Sequence, residues 1–196
     1  DDVVTPGRGF GMHPHRDMEI STLLLSGSQR HADTTGAKHL VGMNTVQTMS
    51  AGSGIEHSEV NASDTEPFHS FQVWVYPKGR GGVPRHETFE YRPADKHNRF
   101  LLALSPDRRE GSALIAQDAF FSVAELEAGA RSSYAMRMGG NGVYLHCAGG
   151  AVEIAGHRLG RGDAIGIWET PEIELEVLQA AELIAVEVPM ARGVRV

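Results

Sequence analysis

Ile173-Glu174-Leu175-Glu176-Val177 alternates apolar and acidic residues without a break. That two-residue period is the period of a strand with one dry and one wet face. Segments of the same kind recur at short spacing on either side of it. They run over Glu19 to Leu25, Val46 to Ser50, Ser70 to Tyr76, Phe100 to Leu104, Ala113 to Ala116 and Phe120 to Leu126. They continue over Ser132 to Met136, Val143 to Cys147, Ala151 to Ile154, Ala164 to Trp168, Ile173 to Leu178 and Leu183 to Val188. No long window holds a helical period, and 23 glycines with 9 prolines in 196 residues are a turn-rich allotment. The pattern predicts an all-β protein of the sandwich or barrel type.

Between Tyr76 and Phe100, Pro77-Lys78-Gly79-Arg80-Gly81-Gly82-Val83-Pro84 is followed by a charged run ending at Asp95-Lys96-His97-Asn98-Arg99. Glycine, proline and charge concentrated there mark a connection with little core of its own. The expected boundary falls near Pro93, giving domains 1–92 and 93–196 with about seven to ten short strands each, a number that suits a small barrel or jelly roll. A helical turn starting at Glu87 or Ala94 is the one helical expectation.

A formal charge of −7 with scattered Lys and Arg argues against direct nucleic-acid binding, which needs clustered cations. The single cysteine, Cys147, forms no internal disulfide and reads as a small buried hydrophobe. No apolar run approaches membrane-spanning length and no charged-then-apolar leader opens the sequence, so no membrane partner and a cytoplasmic location are expected.

The chemistry is concentrated in two short stretches. In Met12-His13-Pro14-His15 the two imidazoles are two residues apart, so in an extended chain they lie on one side, with Cα atoms about 6.5 to 7 Å apart. Pro14 donates no ladder hydrogen bond, which puts the pair at a strand start, an edge or a bulge. In Gly52-Ser53-Gly54-Ile55-Glu56-His57-Ser58-Glu59 a glycine turn precedes a second such pair, His57 and Glu59. Together His13, His15, His57 and Glu59 make a donor set for one divalent ion: iron, copper, nickel, cobalt, manganese or zinc. Two roles are open for Glu59, ligand or catalytic base. Glu19 is a fifth candidate, with hydrogen bonding to a ligand histidine or a backbone donor the preferred role. His31 and His39, flanking Asp33-Thr34-Thr35-Gly36, are expected to face solvent, and His69, His86 and His97 to sit in or near connections. His146 and His157 lack partners at ligand spacing, so the second half is expected to hold no metal.

Gly11-Met12-His13-Pro14-His15-Arg16-Asp17-Met18-Glu19-Ile20, Met49 through Glu59 and Phe71-Gln72-Val73-Trp74-Val75 resemble the pirin family, a branch of the cupin superfamily. Ser105-Pro106-Asp107, Gly111-Ser112 and Gln117-Asp118-Ala119 resemble the start of that family's second barrel. The resemblance implies a bicupin: two stacked cupin (jelly-roll) barrels, a degenerate second barrel, and one metal ion in the first, commonly Fe(II), on His13, His15, His57 and Glu59. It also implies one of two functions. One is a quercetinase-like dioxygenase that opens the central ring of a flavonol or related phenolic with O2 and releases carbon monoxide. The other is a non-enzymatic, metal- or redox-responsive regulator that binds a protein partner. Members carry several tens of residues ahead of the point where this sequence begins, so a further N-terminal segment completing the first barrel is expected. Gly42-Met43-Asn44 stands where the family has a Pro-Gly-Asp turn, and Leu23-Leu24-Leu25 where it tends to have an aromatic.

Overall fold

A computed structural model describes residues 1–190 and divides the chain into two compact units. Unit 1 is Asp1–Tyr91 with Ala113–Gln117, and unit 2 is Arg92–Ser112 with the chain from Asp118 onward. Strands dominate both units, and the helical content of the described residues is two short 3-10 turns, Pro93–Asp95 and Arg109–Gly111. Glu87, one of the two expected helix starts, lies inside a strand instead.

Unit 1 contains two sheets. The five-stranded one runs β1 (Asp2–Val4), β8 (Phe68–Val75), β3 (Glu19–Ser26), β6 (Thr45–Ser50), β9 (Arg85–Glu90). The four-stranded one runs β2 (Gly9–His15), β7 (Ile55–Asn61), β4 (Gln29–Asp33), β5 (Lys38–Val41). The two meet through their inner faces: side chains of β3, β6 and β8 hydrogen-bond Glu59 on β7. Small apolar clusters close the ends, Val4, Leu24, Val41 and Phe68 at one and Ile20, Met49, Ala51 and Ile55 at the other. Between them the interior is polar, with Thr22, Gln29, His31, Gln47, His57 and Glu59 all buried. The segment Ala113–Gln117, which includes the short β11 (Ala113–Leu114), belongs to this unit: the Ala116 amide donates to Glu19, and the Leu114 carbonyl accepts from Arg85.

Unit 2 is built on β10 (Leu101–Ser105), β12 (Phe120–Leu126), β17 (Glu172–Pro189), β14 (Asn141–Ile154) and β15 (His157–Gly160) in that order. The strand β13 (Arg131–Ala135) pairs with β17, and β16 (Ala164–Trp168) with β14. Its core is one apolar cluster that includes Leu126, Tyr134, Leu145, Val152, Ile154, Leu175, Val177 and Leu183. The free thiol of Cys147 is buried within it. In β17 the alternation of Ile173 to Val177 is a dry and a wet face, with Ile173, Leu175 and Val177 buried and Glu174 and Glu176 exposed. Four segments expected as separate strands are two long ones here, because β14 and β17 run on through register shifts between Cys147 and Val152.

Candidate metal centre in the first unit

Strand β7 aims Ile55, His57, Glu59 and Asn61 inward and leaves Glu56 exposed between them, so period-two geometry delivers His57 and Glu59 to one interior. The turn before it needs glycine at position 52. That residue has φ +48°, and an added Cβ would collide with the Gly82 carbonyl, which accepts the Ser53 amide. On the other side, Pro14 lies on β2, the edge strand of its sheet, where its missing N–H costs no ladder bond.

The pairing of β2 with β7 is irregular. Phe10 lies opposite Glu59 and His13 opposite His57, so β2 advances three residues while β7 advances two. Gly11 and Met12 therefore form a one-residue bulge. It sets His13 directly across from His57 and turns the Gly11 carbonyl onto the His13 ring, where it accepts from Nδ1 at 2.7 Å. The proton is thus on Nδ1, and Nε2 keeps the free lone pair that a metal requires.

His13, His15 and His57 come together with ring centroids 4.4 to 4.9 Å apart and one potential ligand atom from each within 4.8 Å of the others. His57 is 1 % exposed, and both its ring nitrogens are buried without a hydrogen-bond partner. A buried imidazole with neither nitrogen satisfied is expensive unless an ion takes one of them, so these residues fit a bound metal. Burial, reinforced by the neighbouring His13, His15 and His31, pushes the His57 pKa down to about 3, and burial with His13 lowers that of His15 against the opposing Glu59. Both rings are held neutral, the form that ligates.

Glu59 falls in a second grouping, with His57 and His31. Its two oxygens are treated differently. Oε1 accepts from Thr22 Oγ1 (3.4 Å), Gln29 Nε2 (3.2 Å) and Gln47 Nε2 (3.3 Å), and Oε2 only from Gln72 Nε2 (2.9 Å). Oε2 therefore retains lone-pair capacity for an ion or a proton. Glu19 stands apart from both groupings. Its Oε2 accepts from Ser50 Oγ (2.7 Å) and the Ala116 amide (3.0 Å), and burial raises its pKa despite those donors.

The structure corrects three expectations. His31 is buried on β4 rather than facing solvent, because β4 pairs with β7 and sets His31 across from Glu59 and Asp33 across from His57. His31-Ala32-Asp33 is itself a same-face pair, and that spacing is the signal sequence reasoning passed over. His86 lies in β9, not in a connection, and stacks on His31 (4.4 Å) and on the exposed His39 (4.6 Å). Burial, with His31 and His39 nearby, pushes its pKa down to about 4. His69 lies in β8 and pairs with Asp1. Trp74 carries no chemical signal in the sequence, yet its ring packs edge-on against His15 at 5.0 Å and its Nε1 donates to Gln72 Oε1 at 2.8 Å.

Two jelly-roll units, the first lined with imidazoles and a carboxylate, define a bicupin with the donor chemistry of a metal centre. The chain matches the Pirin family over residues 1–75 and the family described as quercetinase C-terminal cupin domain over 102–188. It is 36% identical over 192 residues to the quercetin 2,3-dioxygenase of Escherichia coli K12, spanning 96% of this chain and 80% of that one. It is 38% identical over 188 residues to a pirin-like protein of Caulobacter vibrioides, spanning 95% and 80%. The crystal structure of the bacterial pirin YhhW of Escherichia coli in complex with nickel(II) superposes with a TM-score of 0.89 at 34% identity, covering 96% of this chain and 80% of that one. The chain belongs to the pirin family. Among the described residues no helix is long and apolar enough to cross a membrane.

Proposed function

We propose that this protein is a metal-dependent dioxygenase that opens the central ring of a flavonol or a related enolisable phenolic, consuming one O2 and releasing one carbon monoxide. In this reading unit 1 holds one divalent ion on His13, His15, His57 and Glu59, with Fe(II) first among iron, copper, nickel, cobalt, manganese and zinc. The second barrel, from about Pro93, carries no ion, and the protein works in the cytoplasm. The observation that carries the reading is His57, an interior imidazole with two unpartnered nitrogens facing two further imidazoles. The names of the relatives support the reaction class.

A bound ion supplies Lewis acidity toward a substrate hydroxyl and open positions for dioxygen. The chain's own residues do the rest. The Gly11 carbonyl fixes the His13 tautomer, and the low pKa of His57 keeps its ring neutral at working pH. Thr22, Gln29 and Gln47 clamp one oxygen of Glu59. Its other oxygen is the seat either of the ion or of the proton leaving the substrate hydroxyl, within hydrogen-bond reach of about 2.6 to 3.2 Å. Glu59→Gln in metal-loaded protein separates the two: unchanged turnover eliminates the base role. Trp74, 55 % exposed and packed on His15, offers a flat apolar surface for an aromatic ring.

The test is aerobic incubation of the protein with quercetin, loaded in turn with each of the six metals. Ring opening removes the flavonol's visible absorption, and carbon monoxide appears in equal amount. If neither quercetin nor a related phenol is consumed with any metal, the enzymatic reading is abandoned.

A further inference from the structure

We infer that Asp33, His31 and Gln47 form a one-way hydrogen-bond chain whose task is to hold Glu59 in its metal-binding orientation, an inference that rests on Glu59 being a ligand. The chain starts at Asp33. Its Oδ1 accepts from the Thr35 amide (2.8 Å), Thr35 Oγ1 (2.6 Å) and the Ala37 amide (3.3 Å), and its Oδ2 faces His31 Nε2 at 2.9 Å. Burial alone would raise the Asp33 carboxyl, but the hydrogen bonds from Thr35 and His31 outweigh it and keep the group ionised. A carboxylate oxygen accepts the N–H of His31 Nε2, and the Gln47 amide nitrogen facing Nδ1 makes that atom the accepting nitrogen of the ring. The plane of the ring is fixed as well, stacked on His86 at 25°.

Gln47 joins that ring to Glu59. Its Nε2 lies 3.2 Å from His31 Nδ1 and 3.3 Å from Glu59 Oε1. Both neighbours are acceptors, so the amide must turn its two N–H bonds toward them. Turned the other way, its carbonyl would oppose a carboxylate and a lone pair at once. The orientation leaves Gln47 Oε1 buried with no partner. A fully buried side chain thus satisfies its donor end twice and its acceptor end not at all, which marks donation to Glu59 as the requirement the position meets. Asp33, His31 and Gln47 are positioning residues. They come from β4 and β6 and act on the proposed ion through Glu59, with the His31 ring also lying against His57 at 5.4 Å.

The test uses the full chain titrated with Co(II), read by its visible absorption band and by competition with a chelator. Gln47→Met keeps the volume and removes the donor. His31→Phe keeps the ring and removes the acceptor that orients Gln47. His31→Asn restores an acceptor oxygen close to the place of Nδ1. Glu59→Gln serves as the reference. The expected result is weaker Co(II) binding by about 10–100-fold, with a shifted band, in Gln47→Met and His31→Phe, while His31→Asn stays close to the parent. Gln47→Met and His31→Phe with parent-like affinity and band, beside a weakened Glu59→Gln, overturn the positioning chain and leave the proposed function standing. His31→Asn falling as far as His31→Phe also overturns it, since packing and not the acceptor would then matter. An unchanged Glu59→Gln removes Glu59 as a ligand and the chain's purpose with it. Thermal unfolding in chelator identifies any variant that fails to fold, and the substitutions at positions 31 and 47 test the inference independently.

Discussion

Strands β7 and β17 follow the same two-residue alternation, yet they bury opposite chemistries. The inward set of β7 is Ile55, His57, Glu59 and Asn61, and that of the first turns of β17 is Ile173, Leu175 and Val177. The pleat decides which residues face inward, and the residue types then decide whether the barrel stores an apolar core or a reactive interior. Two buried glutamates, Glu187 of unit 2 and Glu59 of unit 1, differ in the same sense. Glu187 of unit 2 accepts two donors on each oxygen, Met138 N and Asn141 Nδ2 on Oε1, Tyr134 Oη and Arg137 N on Oε2. It pins the turn after β13 and has no lone pair left to offer, while burial beside it pushes the Tyr134 hydroxyl pKa far up. Glu59 is loaded three to one, which leaves one oxygen open. A carboxylate becomes chemically available through the donors it lacks.

The sharpest division between the units comes from damaging one and reading both. Leu145→Ala empties a fully buried position of the unit 2 core and is expected to cost about 2–5 kcal/mol in chemical unfolding. Metal affinity of the folded protein should not move, and a loss there would mean the two interiors are not separable. His57→Ala is the converse. It removes a proposed ligand and should weaken metal binding by more than the ~10–100-fold typical of groups behind the ligands, with unit 2 unfolding as in the parent.

Acid should separate them next. The native pKa of His86 is near 4 against an ordinary 6.5, so below pH 6.5 the unfolded chain takes up a proton that the folded chain refuses. Its contribution to stability is complete above pH 6.5 and is lost as pH falls toward 4. Urea midpoints of the metal-free protein at pH 7, 5.5 and 4 should therefore decline less in His86→Phe than in the parent. The smallest effect is expected from Trp74→Ala, which removes the ring packed on His15 and the donor to Gln72. A contact of this kind is worth about 0.5–1.5 kcal/mol, so metal affinity should fall by no more than about tenfold. A larger loss would make Trp74 part of the support for Glu59 through Gln72.

The same contrast explains what the sequence disclosed. A strand rich in buried apolar residues, such as β12, is legible to within a residue because burial and hydrophobicity largely coincide in it. Strand β4 reads Gln29-Arg30-His31-Ala32-Asp33 and buries Gln29, His31 and Asp33, so it mimics a loop by composition, and composition alone points His31 to solvent. The ligand candidates His13, His15, His57 and Glu59 were visible because each pair sits two apart in one strand. The donors around Glu59 come from β3, β4, β6 and β8, and only the folded sheets bring them together. The long β14 looks like two strands in the sequence because Gly149 and Gly150 interrupt its apolar run, though the strand continues past them through register shifts.

The bulge at Gly11 and Met12 bears on attempts to transplant this centre. Grafting His-Pro-His onto a regular edge strand of another scaffold would reproduce the spacing of the imidazoles but not the carbonyl that the extra residue swings onto His13. The transplanted ring would then be free to choose either tautomer, and half its choices present the wrong nitrogen to the ion. The portable unit is therefore the stretch from Phe10 to His15, irregularity included.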